Sequence, residues 1–348
     1  MLKFAIIGAG AGGQSMAAIL TSKGYIAKLY DIDKEKIHRL QELKTIKVTG
    51  VIACEAAPAV ITDRIDEVMD DVDVIMVVST TDAHRSIAYA CKPYLKDGQI
   101  VMLNPGHCGG ALEIANILRG EDGCGKDLII AEAGDLMYGC RSYEVGNILH
   151  TGLKVHVPVA TLPASDIDRL MKVLGPIFPC LQPAANVLET SLNNSNPISH
   201  GPLALFNITR MENGEDFLLF GTGVTPRVAR FMEKIDRERV AVVRACGVSA
   251  PTELEMLNSF WPEPQESLYN VLHNTPAYSV TKGPRTLDHR YLTEDLPYGL
   301  VPYVRLGRKL GVETPCLEAL IGMFGLYMDQ DYFQQGPEVE QLDLSRYR

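Results

Sequence analysis

The chain is poor in the features that mark several protein classes. It holds one tryptophan in 348 residues and 7% aromatics, which by itself says little about function. Positive charge is scarce: 33 Lys and Arg stand against 43 Asp and Glu, a formal net charge of -10 with His neutral. A nucleic-acid or anionic-membrane partner needs a basic face, so neither is expected. No run of about 18 apolar residues occurs, so no membrane span is expected. Met1–Gly8 lacks the long apolar core and small-residue cleavage site of a signal peptide. The eight cysteines include no C-x-x-C pair. A chain of this size needs no disulfide scaffold, so packing cysteines in a cytoplasmic protein are the expectation. His, Cys and carboxylates are too dispersed for a metal site, and none is expected. No repeat or low-complexity tract stands out.

What is present is enough apolar material for two cores. Hydrophobic residues make up 46%, far from a disordered composition, and the length suits two domains. The first fifty residues carry the strongest local signal. Phe4–Ile7 reads as a strand buried on both faces. It runs into Gly8-Ala9-Gly10-Ala11-Gly12-Gly13, a G-x-G-x-x-G turn on Gly8, Gly10 and Gly13. Gly8 permits the tight turn, Gly10 lets backbone approach a pyrophosphate, and Gly13 lets the next helix pack close. That helix is expected from about Gly12 to Ser22, so Ala11 and Gly12 sit where its free N–H groups meet phosphate. A second strand, Ile26–Tyr30, ends at Asp31, 23 residues after Gly8. A carboxylate there suits the ribose hydroxyls and repels a 2′-phosphate, which favours NAD. Lys34 and Lys36 could accommodate that phosphate and leave NADP open.

The alternation continues. Strands are expected at 72–78, 99–103, 128–132 and 154–160, and helices at 84–94, 111–118 and 165–174. Ligands of doubly wound sheets sit beyond the carboxyl ends of the strands. Ser79 after one strand, and Asn104 and Gly106 after the next, are therefore candidate cofactor contacts. Glu132 and Asp135 read as loop carboxylates, and His84 and His107 either line the nicotinamide side or are ordinary loop histidines. Cys108 shows no activating base. From about 186 helical periodicity dominates. Thr225-Pro226 has the form of a helix start, and Val228–Cys246 alternates apolar residues with charges that include Asp236 and Arg239. Further helices are expected at 300–310 and 315–327. The fold expectation is an α/β Rossmann domain (doubly wound, mostly parallel sheet) over 1–185, then a mainly α-helical substrate and catalytic domain over 186–348. Substrate is expected between the two.

Two second-half segments look chemical, 193–202 and 290–297. A His held by a carboxylate is a proton-transfer unit near neutral pH. Residues alone leave the pairing of His200 with Asp295 open against a capping histidine beside a proline break.

The chain resembles the NAD(P)-dependent opine dehydrogenase family, the octopine/nopaline group. The likeness lies in Gly8–Gly13, Tyr30-Asp31-Ile32-Asp33, Leu103–Gly106 with Gly109–Glu113, Cys140-Arg141-Ser142, Asn186–Leu192 through His200, Gly223–Pro226, Asn274–Tyr278 and Arg290-Tyr291 with Glu294-Asp295. It implies that His200 and Asp295 form a catalytic dyad and that Asn196 lies in the same site. Arg290 then offers its donor fork to a substrate carboxylate, with a structural arginine as the alternative. Two departures are His107, where relatives often carry Thr, Arg or Ala, and Gly201, where Pro commonly follows the histidine. The implied reaction is an NADH-dependent reductive condensation of an α-keto acid such as pyruvate with the amino group of an L-amino acid, and its reverse. Reduction of C=O by a ketopantoate-type or other 2-hydroxyacid dehydrogenase, and a non-catalytic NAD sensor, are the alternatives. The large apolar helical half leaves a homodimer open.

Overall fold

The computed structural model describes residues 1–342 and 344. The chain divides into two compact units, Met1–Gly106 with Gly110–Val187, and His107–Gly109 with Leu188–Arg348. The three residues His107–Gly109 leave the first unit and count with the second.

The first unit carries an eight-stranded sheet. Its strands are β1 (Lys3–Ile7), β2 (Ile26–Tyr30), β5 (Val60–Thr62), β6 (Val74–Val77), β7 (Ile100–Leu103), β8 (Ile129–Ala133), β11 (Val157–Leu162) and β12 (Leu181–Pro183). They lie in the order β12-β11-β8-β7-β6-β1-β2-β5. All neighbours are parallel except β8 and β11. β1 sits between β2 and β6, where the direction of winding reverses. The runs 4–7, 74–77 and 100–103 are apolar throughout and wholly buried, as a sheet covered on both faces requires. Helices α1 (Ala11–Ser22), α2 (Lys34–Leu43), α3 (Ile65–Met69), α4 (His84–Cys91), α5 (Gly110–Arg119) and α6 (Ile167–Leu174) connect the strands. Each fully buried Leu, Ile or Phe of this core contributes about 2 kcal/mol of transfer free energy.

A second sheet was not expected. It has β3 (Ile46–Gly50), β4 (Cys54–Ala56), β9 (Tyr138–Glu144) and β10 (Asn147–Leu153), ordered β4-β3-β10-β9. β3 and β4 are short, all four strands are half-exposed, and register shifts interrupt the β9–β10 pair. Period-two patterning is weak in such strands. The expected 154–160 strand begins later, at Val157, because Lys154 belongs to a buried ion pair with Asp135.

The second unit is helical. Helix α7 (Val187–Leu192) holds the division between the units. After it come α8 (Asn196–Phe206), α9 (Ile208–Glu212), α10 (Pro226–Ala245), α11 (Glu253–Phe260), α12 (Leu268–Asn274) and α13 (Arg290–Thr293). A π-helical turn, Asp295–Leu300, leads into α14 (Val301–Leu310), and α15 is Pro315–Met328. Thr225 caps α10 by accepting from the Val228 N–H at 3.3 Å, with Pro226 at the first helical position. One expectation for α10 fails. Asp236 and Arg239 are not part of its solvent-facing charge. Both are buried and pair at 2.7 Å. Arg239 also donates to Asn193 Oδ1 and the Pro251 carbonyl, which satisfies its fork inside the unit. No helix among the described residues is long and apolar enough to cross a membrane.

Candidate active site

In the first unit the glycine turn follows β1 directly. Gly8 has φ +112°, and a Cβ there would lie 2.2 Å from the Val78 carbonyl oxygen. A Cβ on Gly13 would lie 1.7 Å from the Gly8 carbonyl oxygen. Only glycine closes this turn. Gly10, by contrast, has nothing within 4 Å of a built Cβ, so the turn opens at the point where a pyrophosphate needs backbone approach. Gly10 caps α1 without a side-chain hydrogen bond, so the first N–H groups, Ala11, Gly12 and Gly13, carry the positive end of the helix dipole.

Asp31 ends β2 and braces the turn. Its Oδ2 accepts from the Ala9 N–H at 2.6 Å and from Lys36 Nζ at 3.2 Å, and its Oδ1 accepts from the Asp33 N–H. Gln14 was missed by the sequence reading. Its Nε2 donates to the Ala9 carbonyl at 2.7 Å and its Oε1 accepts from the Gly146 N–H at 2.9 Å. It ties the turn to the second sheet, and a buried polar residue one position after the glycines was its only signal. Ser79 follows β6, and its hydroxyl donates to the Thr80 carbonyl. Asn104 is buried. Its Nδ2 donates to the Met102 carbonyl, while Oδ1 has no hydrogen-bond partner among the described residues. Gly106 donates to the Ala133 carbonyl. The open Gly10, the uncapped helix end and the orphaned Asn104 oxygen fit a dinucleotide. Glu132 Oε2 accepts from the Ala111 N–H and Asp135 pairs with Lys154, so both carboxylates have structural work. All eight cysteines are free thiols. Burial pushes the Cys91 thiol up to about 12 and that of Cys140 up to about 11, as packing residues.

In the second unit, 95 positions of sequence separate two side chains that touch. His200 on α8 places Nδ1 2.8 Å from Asp295 Oδ2 at the head of the π-helical turn. Asp295 is fully buried and His200 is 9% exposed. Two glycines permit this approach. A Cβ on Gly299 would lie 2.4 Å from Pro197 Cγ, and one on Gly201 would lie 2.9 Å from Leu300 Cδ1. Gly201, the departure next to the histidine, thus lets α8 press against the π-helical turn. Pro202 inside α8 has no N–H to donate, which leaves the helix one bond short beside the imidazole. The Tyr291 ring stacks on His200 with centroids 3.9 Å apart.

Burial acts to raise the Asp295 carboxyl, but the charge and hydrogen bond of His200 and the charge of Arg290 outweigh it and hold it below the usual carboxylate range. Arg290 Nη2 lies 2.8 Å from Glu294 Oε2 and 4.0 Å from Asp295 Oδ1. Its side chain is 40% exposed, so the guanidinium is shared between buried carboxylates and the surface. Asn196 opens α8, and its N–H donates to Asn194 Oδ1 at 2.8 Å. His107 is buried in this unit beside Asn194 and Glu294. His84 is buried within the first unit, where a Cβ on Gly110 would lie 2.9 Å from its Nδ1.

A turn built for a dinucleotide and a buried imidazole held by a carboxylate, each in its own unit, belong to an NAD(P)-dependent dehydrogenase. Comparison with known proteins narrows the class. Residues 183–328 match the alpha-helical domain of the NAD/NADP octopine/nopaline dehydrogenases, and residues 3–107 match the N-terminus of NAD-dependent glycerol-3-phosphate dehydrogenase. An opine dehydrogenase of Arthrobacter sp. (strain 1C) is 34% identical over 343 residues, covering 98% of this chain and 95% of that protein. An octopine dehydrogenase structure with NADH and L-arginine superposes with TM-score 0.73 at 18% identity, covering 94% and 90% of the two chains. A ketopantoate reductase from Ralstonia eutropha shares the fold with TM-score 0.66 at 17% identity, covering 94% and 99%. The chain belongs to the opine dehydrogenase family, NAD(P)-dependent oxidoreductases that act on CH–NH groups.

Proposed function

We infer that this protein condenses an α-keto acid, pyruvate or a close analogue, with the amino group of an L-amino acid, and runs the reverse oxidation of the opine. The observation that carries the mechanism is the 2.8 Å bond between His200 Nδ1 and Asp295 Oδ2. Asp295 accepts a hydrogen bond from Nδ1–H and leaves Nε2 to exchange a proton with substrate. In opine oxidation His200 takes the proton from the secondary amine. In the reductive direction it returns a proton to the nitrogen or to the departing oxygen. Asp295 fixes the ring and stabilises its charged form, and the stacked Tyr291 limits the ring's rotation. Gly8, Gly10, Ala11, Gly12, Gly13, Asp31, Ser79, Asn104 and Gly106 hold the dinucleotide. When bound, it supplies the hydride for the imine carbon. Asp31 favours NAD, while Lys36 at 3.2 Å tempers its charge and keeps NADP usable.

Asn196 and Arg290 line the substrate side, and the exposed part of the Arg290 fork receives a carboxylate. That local cation answers the net charge of -10, which would otherwise repel a dicarboxylate product. Residues 1–185 form the dinucleotide domain and 186–348 the substrate domain in this reading. The eight free thiols support a reducing cytoplasmic setting. Exposed Met323, Leu326 and Tyr327 on α15 support a homodimer.

The test is NADH oxidation with pyruvate alone, with a panel of L-amino acids alone, and with both. Turnover that requires both is expected. Equal turnover with the keto acid alone would replace this reading with carbonyl reduction.

A further inference from the structure

We propose that His107 is a positioning residue for the proton-transfer pair, acting through Glu294 and Arg290. The inference rests on the His200–Asp295 reading and adds a second imidazole that never meets substrate. It starts from an orientation that the hydrogen bonds fix. Asn194 Oδ1 accepts from the Asn196 N–H at 2.8 Å, so the Asn194 amide nitrogen is the group that faces His107. That Nδ2 lies 2.9 Å from His107 Nδ1. An amide N–H can only donate, so His107 Nδ1 accepts and the ring proton sits on Nε2. Nε2 points to Glu294 Oε1 at 3.6 Å. Both side chains are 2% exposed, so this alignment acts in a poorly screened interior.

Glu294 transmits the effect. Its other oxygen holds Arg290 Nη2 at 2.8 Å, and the same nitrogen is 4.0 Å from Asp295 Oδ1. One guanidinium therefore serves two buried carboxylates and favours Glu294. The His107 Nε2–H dipole, 3.6 Å from Glu294 and beyond hydrogen-bond length, offsets part of the Glu294 charge, which leaves part of the Arg290 charge to Asp295. The backbone pays for the placement: His107 has φ +49°, a left-handed conformation that non-glycine residues rarely adopt. The groups facing His200 from its own surroundings are Asp295, Arg290 and Tyr291, with His289 behind Tyr291. On α8 beside it, Ser199 donates to Glu253, whose N–H donates to Asp236, the partner of Arg239. That second set is internally matched. His107 is the histidine that reaches the Glu294–Arg290 pair.

The test compares His107→Asn with His107→Gln in opine oxidation, reading kcat/KM against pH. Asparagine keeps an acceptor near the Nδ1 position but is too short to reach Glu294. Glutamine reaches it with an amide N–H. In the Asn variant Glu294 draws Arg290 away from Asp295, the charged form of His200 is favoured, and the limb moves up by about one pH unit. The Gln variant keeps the limb near its original place. Glu294→Gln shifts it the opposite way, because Arg290 then turns wholly to Asp295. A limb that stays put in the Asn variant overturns the proposal, whatever Glu294→Gln does. If the Asn variant does not fold, a stationary limb in Glu294→Gln overturns it alone. His200→Gln separates the two readings. If it abolishes the limb while the other variants leave it unmoved, only the role of His107 falls. If it leaves the limb intact, the dyad and the proposal fall together.

Discussion

The two units build their chemistry from opposite materials. The first uses backbone: a glycine turn, a bare helix end and a carboxylate that braces them, all within residues 8–31. The second uses side chains gathered from 107, 194, 200, 290, 294 and 295. A backbone site tolerates no added Cβ at Gly8 or Gly13 but asks little of distant side chains. A side-chain site tolerates changes of backbone detail but fails when one partner is lost. The contrast predicts separable defects, binding in one unit and proton transfer in the other.

The largest separation is expected from His200→Ala. Loss of a general acid/base lowers turnover by about 10²–10⁴-fold. Steady-state NADH oxidation with keto acid and amine reads it directly. Gly13→Ala is expected to break the other half of the comparison. Its Cβ would meet the Gly8 carbonyl oxygen at 1.7 Å, so the turn must open and NADH affinity falls. A loss of about 10–100-fold is expected in a titration, roughly 1.4–3 kcal/mol of binding. Unaltered affinity would mean that the turn does not shape the cofactor site.

The last effect falls on stability and leaves both sites untouched. His150 in β10 is buried against Tyr138 with no hydrogen-bond partner among the described residues, and burial pulls its pKa down to about 4. The unfolded chain titrates this group near 6.5, so between pH 6.5 and 4 the unfolded state holds the extra proton. Stability therefore falls as pH drops through that window, by on the order of 3 kcal/mol. His150→Leu removes this slope in unfolding midpoints measured against pH. A wild-type curve that is flat over the window would contradict it. His150 and His200 then mark the difference between the units: burial alone expels a proton from one, while Asp295 gives the other a use for it.

The contrast also explains what was legible in the sequence. Gly8–Gly13, Ile26–Asp31 and the apolar runs at 74–77 and 100–103 are short-range patterns, and α1, β2, α10 and α14 appear within two residues of expectation. The β3-β4-β9-β10 sheet was invisible because its strands are half-exposed and its two local pairs are joined across about a hundred positions, β3 to β10. Residues alone left His200 with Asp295 open, and the family resemblance chose the pair. The segment 193–202 and the Glu294-Asp295 pair were singled out, but no role for Asn194 or Glu294, and no departure of His107 into the second unit, was read from them. The i,i+4 spacing of Arg290 and Glu294 was the one readable sign of the wider network. The left-handed turn at His107 carries no clear sequence signature, since most non-glycine residues, histidine included, sit at negative φ.

The central claim is that the second unit moves protons and does not hold the dinucleotide. The direct measurement is an NADH titration of His200→Ala beside its turnover under saturating keto acid and amine. The account predicts a dissociation constant within about twofold of wild type, a difference well under 1 kcal/mol, together with the loss of turnover. A variant that turns over at the wild-type rate, or that loses NADH affinity in proportion to activity, would contradict it.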